Sequence, residues 1–265
     1  MSEQPQTWHH GLIARWWAEF NEGGPDVAYY QTLIEQYGQP ALDVACGTGR
    51  LLLPYVRAGL DVDGCDVSAD MLALCAEKAA QEGLAPRLYQ QPMHELDLPR
   101  RYKFIYMAGS FGLGGQREQD MEALRRIHAH LEPGGVLAVD KDLPYDFPDA
   151  WSYWVREKRA ELPEAWPEWG KRRRASDGTD YQLRSRLVAL DPFEQRFTLE
   201  MWARRWQGEE LLAEEKRLLR GCIYFKNEML LMLEKVGFRD IVIHGDYQRT
   251  EATAEHKILT YIARK

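Results

Sequence analysis

Between Ala41 and Lys141, short apolar runs alternate with stretches of helical periodicity. "ALDVAC", "DVDGCDV", "RLYQ", "YKFIYMAG" and "VLAVDK" read as strands, and "RLLLPYVRAG", "ADMLALCAEKAAQEG" and "REQDMEALRRIHAHLEPGG" as the helices between them. Strands that are apolar almost throughout, separated by helices, predict a doubly wound parallel sheet covered on both faces. The rhythm then changes. "YQLRSRLVAL", "FEQRFTLEMWARRW" and "ELLAEEKRLLR", broken by turn signals at Asp191-Pro192 and Gln207-Gly208, predict a three-stranded antiparallel meander. The tail returns to the first rhythm with a helix, "KNEMLLMLEKVG", closed by Gly237, and two strands, "FRDIVIHG" and "HKILTYIAR". This pattern divides the chain into an N-terminal helical segment (1–40), an α/β unit (41–142 and 222–265) and an inserted β cap (143–221).

Composition narrows the function classes. The 265 residues are 45% hydrophobic, enough for one large core, and the formal net charge of -7 repels nucleic acid and anionic membrane. "MSEQPQTWHHGL" lacks a basic and then apolar leader, and nowhere do 18 apolar residues run together, so a soluble, unexported chain with no membrane partner is expected. Cys46, Cys65, Cys75 and Cys222 are scattered without a Cys-x-x-Cys pair, which speaks against a disulfide framework or structural zinc and for a reducing cytoplasm. No metal set with suitable spacing appears.

The chemistry concentrates at "ALDVACGTGRLL", residues 41 to 52, where strand turns into helix. At such a turn backbone amides point outward, and glycine lets a ligand approach the backbone without meeting a Cβ. A dinucleotide fingerprint, Gly-x-Gly-x-x-Gly, would place glycines at positions held here by Ala45, Gly47 and Arg50, so only one of the three matches. The frame is instead Asp43-x-Ala45-x-Gly47-x-Gly49, with Asp66 about 20 residues beyond the turn, where a nucleoside ribose lies in a crevice of this kind.

"LDVACGTGR" resembles the first motif of class I S-adenosylmethionine-dependent methyltransferases, with Ala45 departing from the first glycine. The resemblance continues through "VDGCDVSADML", "LEPGGVLAVD", the "GF" pair and "LTYIARK". It implies a Rossmann-like, mostly parallel seven-stranded sheet with an antiparallel last strand. It also implies an enzyme whose cofactor is S-adenosyl-L-methionine and whose acceptor is a small molecule. Carried over to this chain, it assigns Asp66 to the ribose hydroxyls and Val67, Met71 and Met93 to the adenine. Asp43 falls to the methionine end, and Ala108 and Gly109 to the path of the methyl group. The acid that often precedes Met93 is replaced by Pro92, which leaves Gln91 or a backbone group for the adenine amino group. Ala45, Gly47, Gly49 and Tyr30 complete the expected cofactor set.

Methyl transfer asks mainly for in-line positioning and exclusion of water, with a base only where the acceptor must lose a proton. Candidate bases are Asp140, Asp142, His244, Tyr29, Tyr30 and Tyr224; no single histidine stands out. All nine tryptophans lie outside residues 41 to 142: Trp8, Trp16 and Trp17 before them, Trp151, Trp154, Trp166, Trp169, Trp202 and Trp206 in the insertion. This concentration predicts that the N-terminal helix and the insertion cap the cofactor and recognise the acceptor. Two alternatives stand beside this. The run Lys171 to Arg174 beside Trp166 and Trp169 would suit RNA, although "MAGSFG" lacks the signature of nucleobase amine methylation. The glycine turn would also suit a non-catalytic S-adenosylmethionine-binding subunit.

Overall fold

The computed structural model describes residues 7–146 and 148–265; Met1 to Gln6 of the N-terminal segment and Phe147 of the insertion lie outside the described residues. In chain order the elements begin with α1 (Gly11–Phe20), α2 (Pro25–Tyr37), β1 (Ala41–Val44), α3 (Leu52–Arg57), β2 (Val62–Asp66), α4 (Ala69–Gln81) and β3 (Leu88–Gln90). They continue with β4 (Tyr102–Met107), α5 (Arg117–His130) and β5 (Leu131–Asp142), then the short helices α6 (Pro148–Ser152) and α7 (Arg156–Arg159). A second group of strands follows, β6 (Arg173–Arg174), β7 (Asp180–Asp191), β8 (Arg196–Gln207) and β9 (Glu210–Cys222). The chain closes with α8 (Lys226–Val236), β10 (Arg239–Gly245) and β11 (Ile258–Arg264).

The main sheet has seven strands in the order β10-β11-β5-β4-β1-β2-β3. Strands β1 to β5 pair in parallel, and β11 runs antiparallel between β5 and β10. Alternate residues of the central strands enter different cores: Leu42, Ile105, Met107, Leu137 and Val139 on one face, and Ala41, Phe104, Tyr106, Val136 and Ala138 on the other. Both faces are therefore apolar, and helices must cover both. Gly237 ends α8 in the left-handed conformation, as its place in the sequence predicts.

The inserted sheet has four strands, β6-β7-β8-β9, all antiparallel. The extra edge strand is Arg173–Arg174, two residues of the basic run. Charge hides strand character from a hydrophobic pattern, and pairing to Asp180 and Tyr181 reveals it. One face of this sheet packs through Met201, Ala203 and Leu219 against Trp8 and Ile13 of the N-terminal segment. No helix among the described residues is long and apolar enough to cross a membrane.

Candidate functional site

The turn after β1 is built from left-handed residues: Ala45 at φ 61°, Gly47 at 56° and Gly49 at 84°. The three positions differ in purpose. A Cβ at Gly47 would meet only the Met71 methyl, at 3.8 Å, so this glycine leaves open space for a ligand. A Cβ at Gly49 would lie 2.7 Å from both Cys75 Sγ and Leu53 Cγ, so Gly49 serves the packing of α3 against α4. Ala45 holds a conformation that costs an L-residue about 1–2 kcal/mol.

Asp66 ends β2 and fixes the same turn. One carboxylate oxygen accepts from the Gly47 N–H at 2.9 Å and the other from the Ser68 N–H at 2.8 Å. Each oxygen keeps lone-pair capacity for a further donor. Burial raises the Asp66 pKa against the pull of these amides. Asp43, buried in β1, is pushed up to about 8 by desolvation.

These groups line a cavity of about 340 Å³ at the carboxyl ends of the strands, within the usual span of small-molecule sites. Asp43, Ala45, Gly47, Asp66, Val67, Met71, Met93, Ala108 and Gly109 share its wall. A smaller pocket joins it through Ala45, Asp66, Val67 and Met93, and Gln91, Pro92 and His94 lie there. Two members of the expected cofactor set stand elsewhere. Gly49 faces an adjoining groove with Arg57 and Lys78, which shares Asn21, Thr48 and Arg50 with the cavity. Tyr30 is fully buried and donates to Asp140 at 3.1 Å, so it touches the site only through that carboxylate.

None of the candidate bases lines the cavity. Asp140, raised by burial to about 6, accepts from the Gly109 N–H, Tyr30 and Tyr247, and is a brace for the end of β4. Tyr224 donates to Asp120, and Tyr29 pairs with His244 at 2.9 Å. Asp142 sits exposed at the far end of β5. The strand positions that suggested these residues fix the end of a strand but not which groups other elements bring to it.

Much of the remaining wall comes from the N-terminal segment, Thr7, His9, Trp17 and Asn21, with Cys46, Thr48, Arg50 and Leu51 of the glycine turn and Ser110 and Leu113 after β4. Pattern reading reached only Trp17 among the N-terminal residues, because the others there carry no motif. Ser68 donates to the His9 carbonyl, Asp70 accepts from the Gly11 N–H at 2.7 Å, and Glu215 of β9 accepts from the Leu12 N–H at 2.8 Å. Carboxylates from α4 and from the inserted sheet thus cap α1, whose own N-cap, His10, makes no side-chain capping bond to the helix. Both His9 ring nitrogens are engaged, Nδ1 with Thr7 and Nε2 with the Trp8 indole, and burial lowers its pKa to about 4.

No described residue of the insertion lines this cavity. Trp202 lies with Trp166 and Trp169, and Trp206 under Arg172 at 4.0 Å, in a ladder with Arg184, Arg204 and Lys216. The insertion meets the site indirectly, through α1 and through Leu113, which bridges to Gly221. Among the described residues no cluster of His, Cys, Asp and Glu is placed to hold a metal ion.

Residues 41–135 match the family model of a methyltransferase domain. The chain thus carries a methyltransferase domain over these residues, on a fold shared with S-adenosylmethionine-dependent methyltransferases of solved structure. It is 35% identical over 155 residues to the dTDP-3-amino-3,6-dideoxy-alpha-D-glucopyranose N,N-dimethyltransferase of Streptomyces fradiae, covering 55% of this chain and 58% of that one. A similar dimethyltransferase, for the 3,4,6-trideoxy sugar, from Streptomyces venezuelae is 33% identical over 42% of this chain and 46% of its own. The chain spans about half the length of the curated relatives it matches. Its fold is that of a sugar N-methyltransferase from Streptoalloteichus, with a TM-score of 0.71 over 100% of this chain and 97% of the other at 16% identity. An S-adenosylmethionine-dependent methyltransferase from Clostridium acetobutylicum superposes with the same TM-score at 17% identity, covering 95% and 97% of the two chains.

Proposed function

We propose that the protein transfers the methyl group of S-adenosylmethionine to an amine nitrogen of a small molecule. The residues fit that cofactor: Asp66 retains acceptor capacity for ribose hydroxyls, Gly47 leaves room beside it, and buried Asp43 awaits a cation. Bound there, the cofactor supplies a methyl group already activated on a sulfonium. Val67, Met71, Met93 and Gln91 would enclose the adenine, and Ala108 would border the methyl path. The chain's own work is to hold the acceptor in line and exclude water, with the segment from Thr7 to Trp17 as the cover.

The observation that carries the choice of nitrogen is the state of the ionisable groups on the wall. His9 is held neutral with both nitrogens engaged, Arg50 is bound to Asp26, and Asp43 and Asp66 stand at the cofactor end. An alcohol would need a base to become nucleophilic, whereas an amine that arrives neutral attacks with its own lone pair. The N-methylating relatives support the same reading. The test is label transfer from methyl-labelled S-adenosylmethionine to matched amines, alcohols and carboxylic acids. Amines should be labelled, with kcat/KM rising with pH along the acceptor's own pKa; label on oxygen, or a profile that ignores the acceptor, would overturn the reading.

In this reading residues 41–142 and 222–265 bind the cofactor, 1–40 cover it, and 143–221 support the cover. Four free, buried cysteines favour a reducing, cytoplasmic setting.

A further inference from the structure

Two residues of the cavity wall each carry a buried polar atom with no hydrogen-bond partner: Trp17, at its indole nitrogen, and Ser110, at its hydroxyl. Unpaired buried groups are costly, and native structures keep few of them. These two come from different elements. Trp17 is on α1, held over the cavity by the caps from Asp70 and Glu215, and Ser110 directly follows Gly109 at the end of β4. Neither belongs to the turn that Asp66 and Gly47 form.

The charges around them narrow the ligand further. Arg50 reaches Asp26 with both terminal nitrogens, at 2.8 and 2.5 Å, and the Gly23 carbonyl at 2.7 Å. In the neighbouring groove beyond Gly49, Arg57 is paired with Glu82, and Lys78 with Glu22 and the Ala18 carbonyl. Every described Arg or Lys on these walls thus has an anionic partner. A phosphate or diphosphate would meet no available cation.

We infer that Trp17 and Ser110 recognise the acceptor, and that the acceptor is a hydroxylated amine carrying no phosphate, in contrast to the nucleotide-linked sugars named for the Streptomyces relatives. Resting on the amine reading above, the inference adds which groups hold the acceptor and which charge it lacks. The indole N–H donates to an acceptor oxygen, and the Ser110 hydroxyl donates or accepts according to what it meets.

The test uses the full chain with serinol, glucosamine and 3-amino-3-deoxyglucose as probes, against glucosamine 6-phosphate and UDP-glucosamine. Turnover by labelled methyl transfer is paired with calorimetric titration of each probe into the adenosylhomocysteine-loaded protein. The unphosphorylated amines should bind and be methylated in preference. Trp17→Phe, which removes the donor and shortens the ring system while keeping an aromatic face, and Ser110→Ala should each raise the acceptor KM about three- to tenfold. The KM for S-adenosylmethionine and kcat should hold, and in Ser110→Ala the melting temperature should not fall, because that change removes an unpaired buried group. Preference for the phosphorylated probes would overturn the charge assignment. An unchanged acceptor KM, or a raised cofactor KM, in both variants would overturn the pair. If the cofactor binds and no amine is methylated or bound, the amine reading fails and the inference falls with it. That result is distinct from amine turnover that ignores Trp17 and Ser110.

Discussion

Ala45 shows how much one side chain decides. Its φ of 61° belongs to glycine's territory, and the frame around it is otherwise glycine-rich. Ala45→Gly should stabilise the protein by about 0.5–1 kcal/mol, relief of left-handed strain outweighing the extra freedom of the unfolded chain. Urea unfolding would measure it, and a loss of stability would mean that the methyl group packs usefully in the wall. Asp43 makes a second prediction, in pH. Its carboxyl rises from 3.8 to about 8 on folding, because burial disfavours the charged form. The stability it contributes is therefore complete below the unfolded value and lost as pH rises through about 8. A cationic ligand reverses the preference by favouring the carboxylate. S-adenosylmethionine affinity should rise with pH up to about 8, with proton release on binding below that point, and both should vanish in Asp43→Asn. Calorimetry in two buffers of different ionisation enthalpy checks this. Equal proton release by the variant would assign it to another group.

At the scale of elements, the basic run Lys171 to Arg174 changes meaning once it is folded. Arg172 covers Trp206 at 4.0 Å and pairs with Glu209, Arg173 lies 4.1 Å over Phe20 of α1, and Arg174 bonds Asp180. Three of these four cations are spent inside the chain, stitching edge strand β6 to α1 and to the ladder on the outer sheet face. Replacing the whole run with Gln should cost about 0.5–1 kcal/mol per lost cation–π contact and leave methyl transfer by the folded fraction unchanged. Melting curves and kinetics on the same variant would show it. Salt-dependent RNA binding that the variant loses would instead favour a phosphate track. Helix α1 is the other element whose role depends on neighbours. Its N–H groups are capped from α4 and from β9, its apolar face packs on β8 and β9, and its Trp17 reaches the cavity.

In the whole molecule, the cofactor turn and the inserted sheet meet through two thin connections. One is α1; the other is the glycine-rich loop after β4, where the Gly114 N–H donates to the Arg220 carbonyl and the Cys222 N–H to that of Gly112. A Cβ at Gly115 would come within 2.8 Å of Arg220 Cβ, so this seam closes only with glycine. The insertion can thereby influence the cavity without placing a side chain in it. Trp166, Trp169, Trp202 and Trp206 serve the outer face of the inserted sheet, while Trp151 and Trp154 pack against Phe225, both groups apart from the aromatic cluster of Trp8, Trp16 and Trp17.

The doubly wound sheet, its antiparallel last strand and the grouping of Asp43, Ala45, Gly47, Asp66, Met71 and Met93 were legible in the sequence. The doubly wound sheet and the glycine turn follow from local periodicity and spacing, whereas the antiparallel last strand and the places of Asp43, Met71 and Met93 were implied by the resemblance to the methyltransferase motifs. Tertiary structure alone decided the rest. It moved Gly49 into packing, took Tyr30 and Asp140 out of the cavity, and turned Trp202 and Trp206 away from it. It also brought Thr7, His9 and Asn21 in. The physical reason is that a local pattern fixes which face of an element is apolar. Which distant carboxylate caps a helix, and which cation finds which ring, depends on contacts between residues separated by more than a hundred positions, such as Leu12 with Glu215.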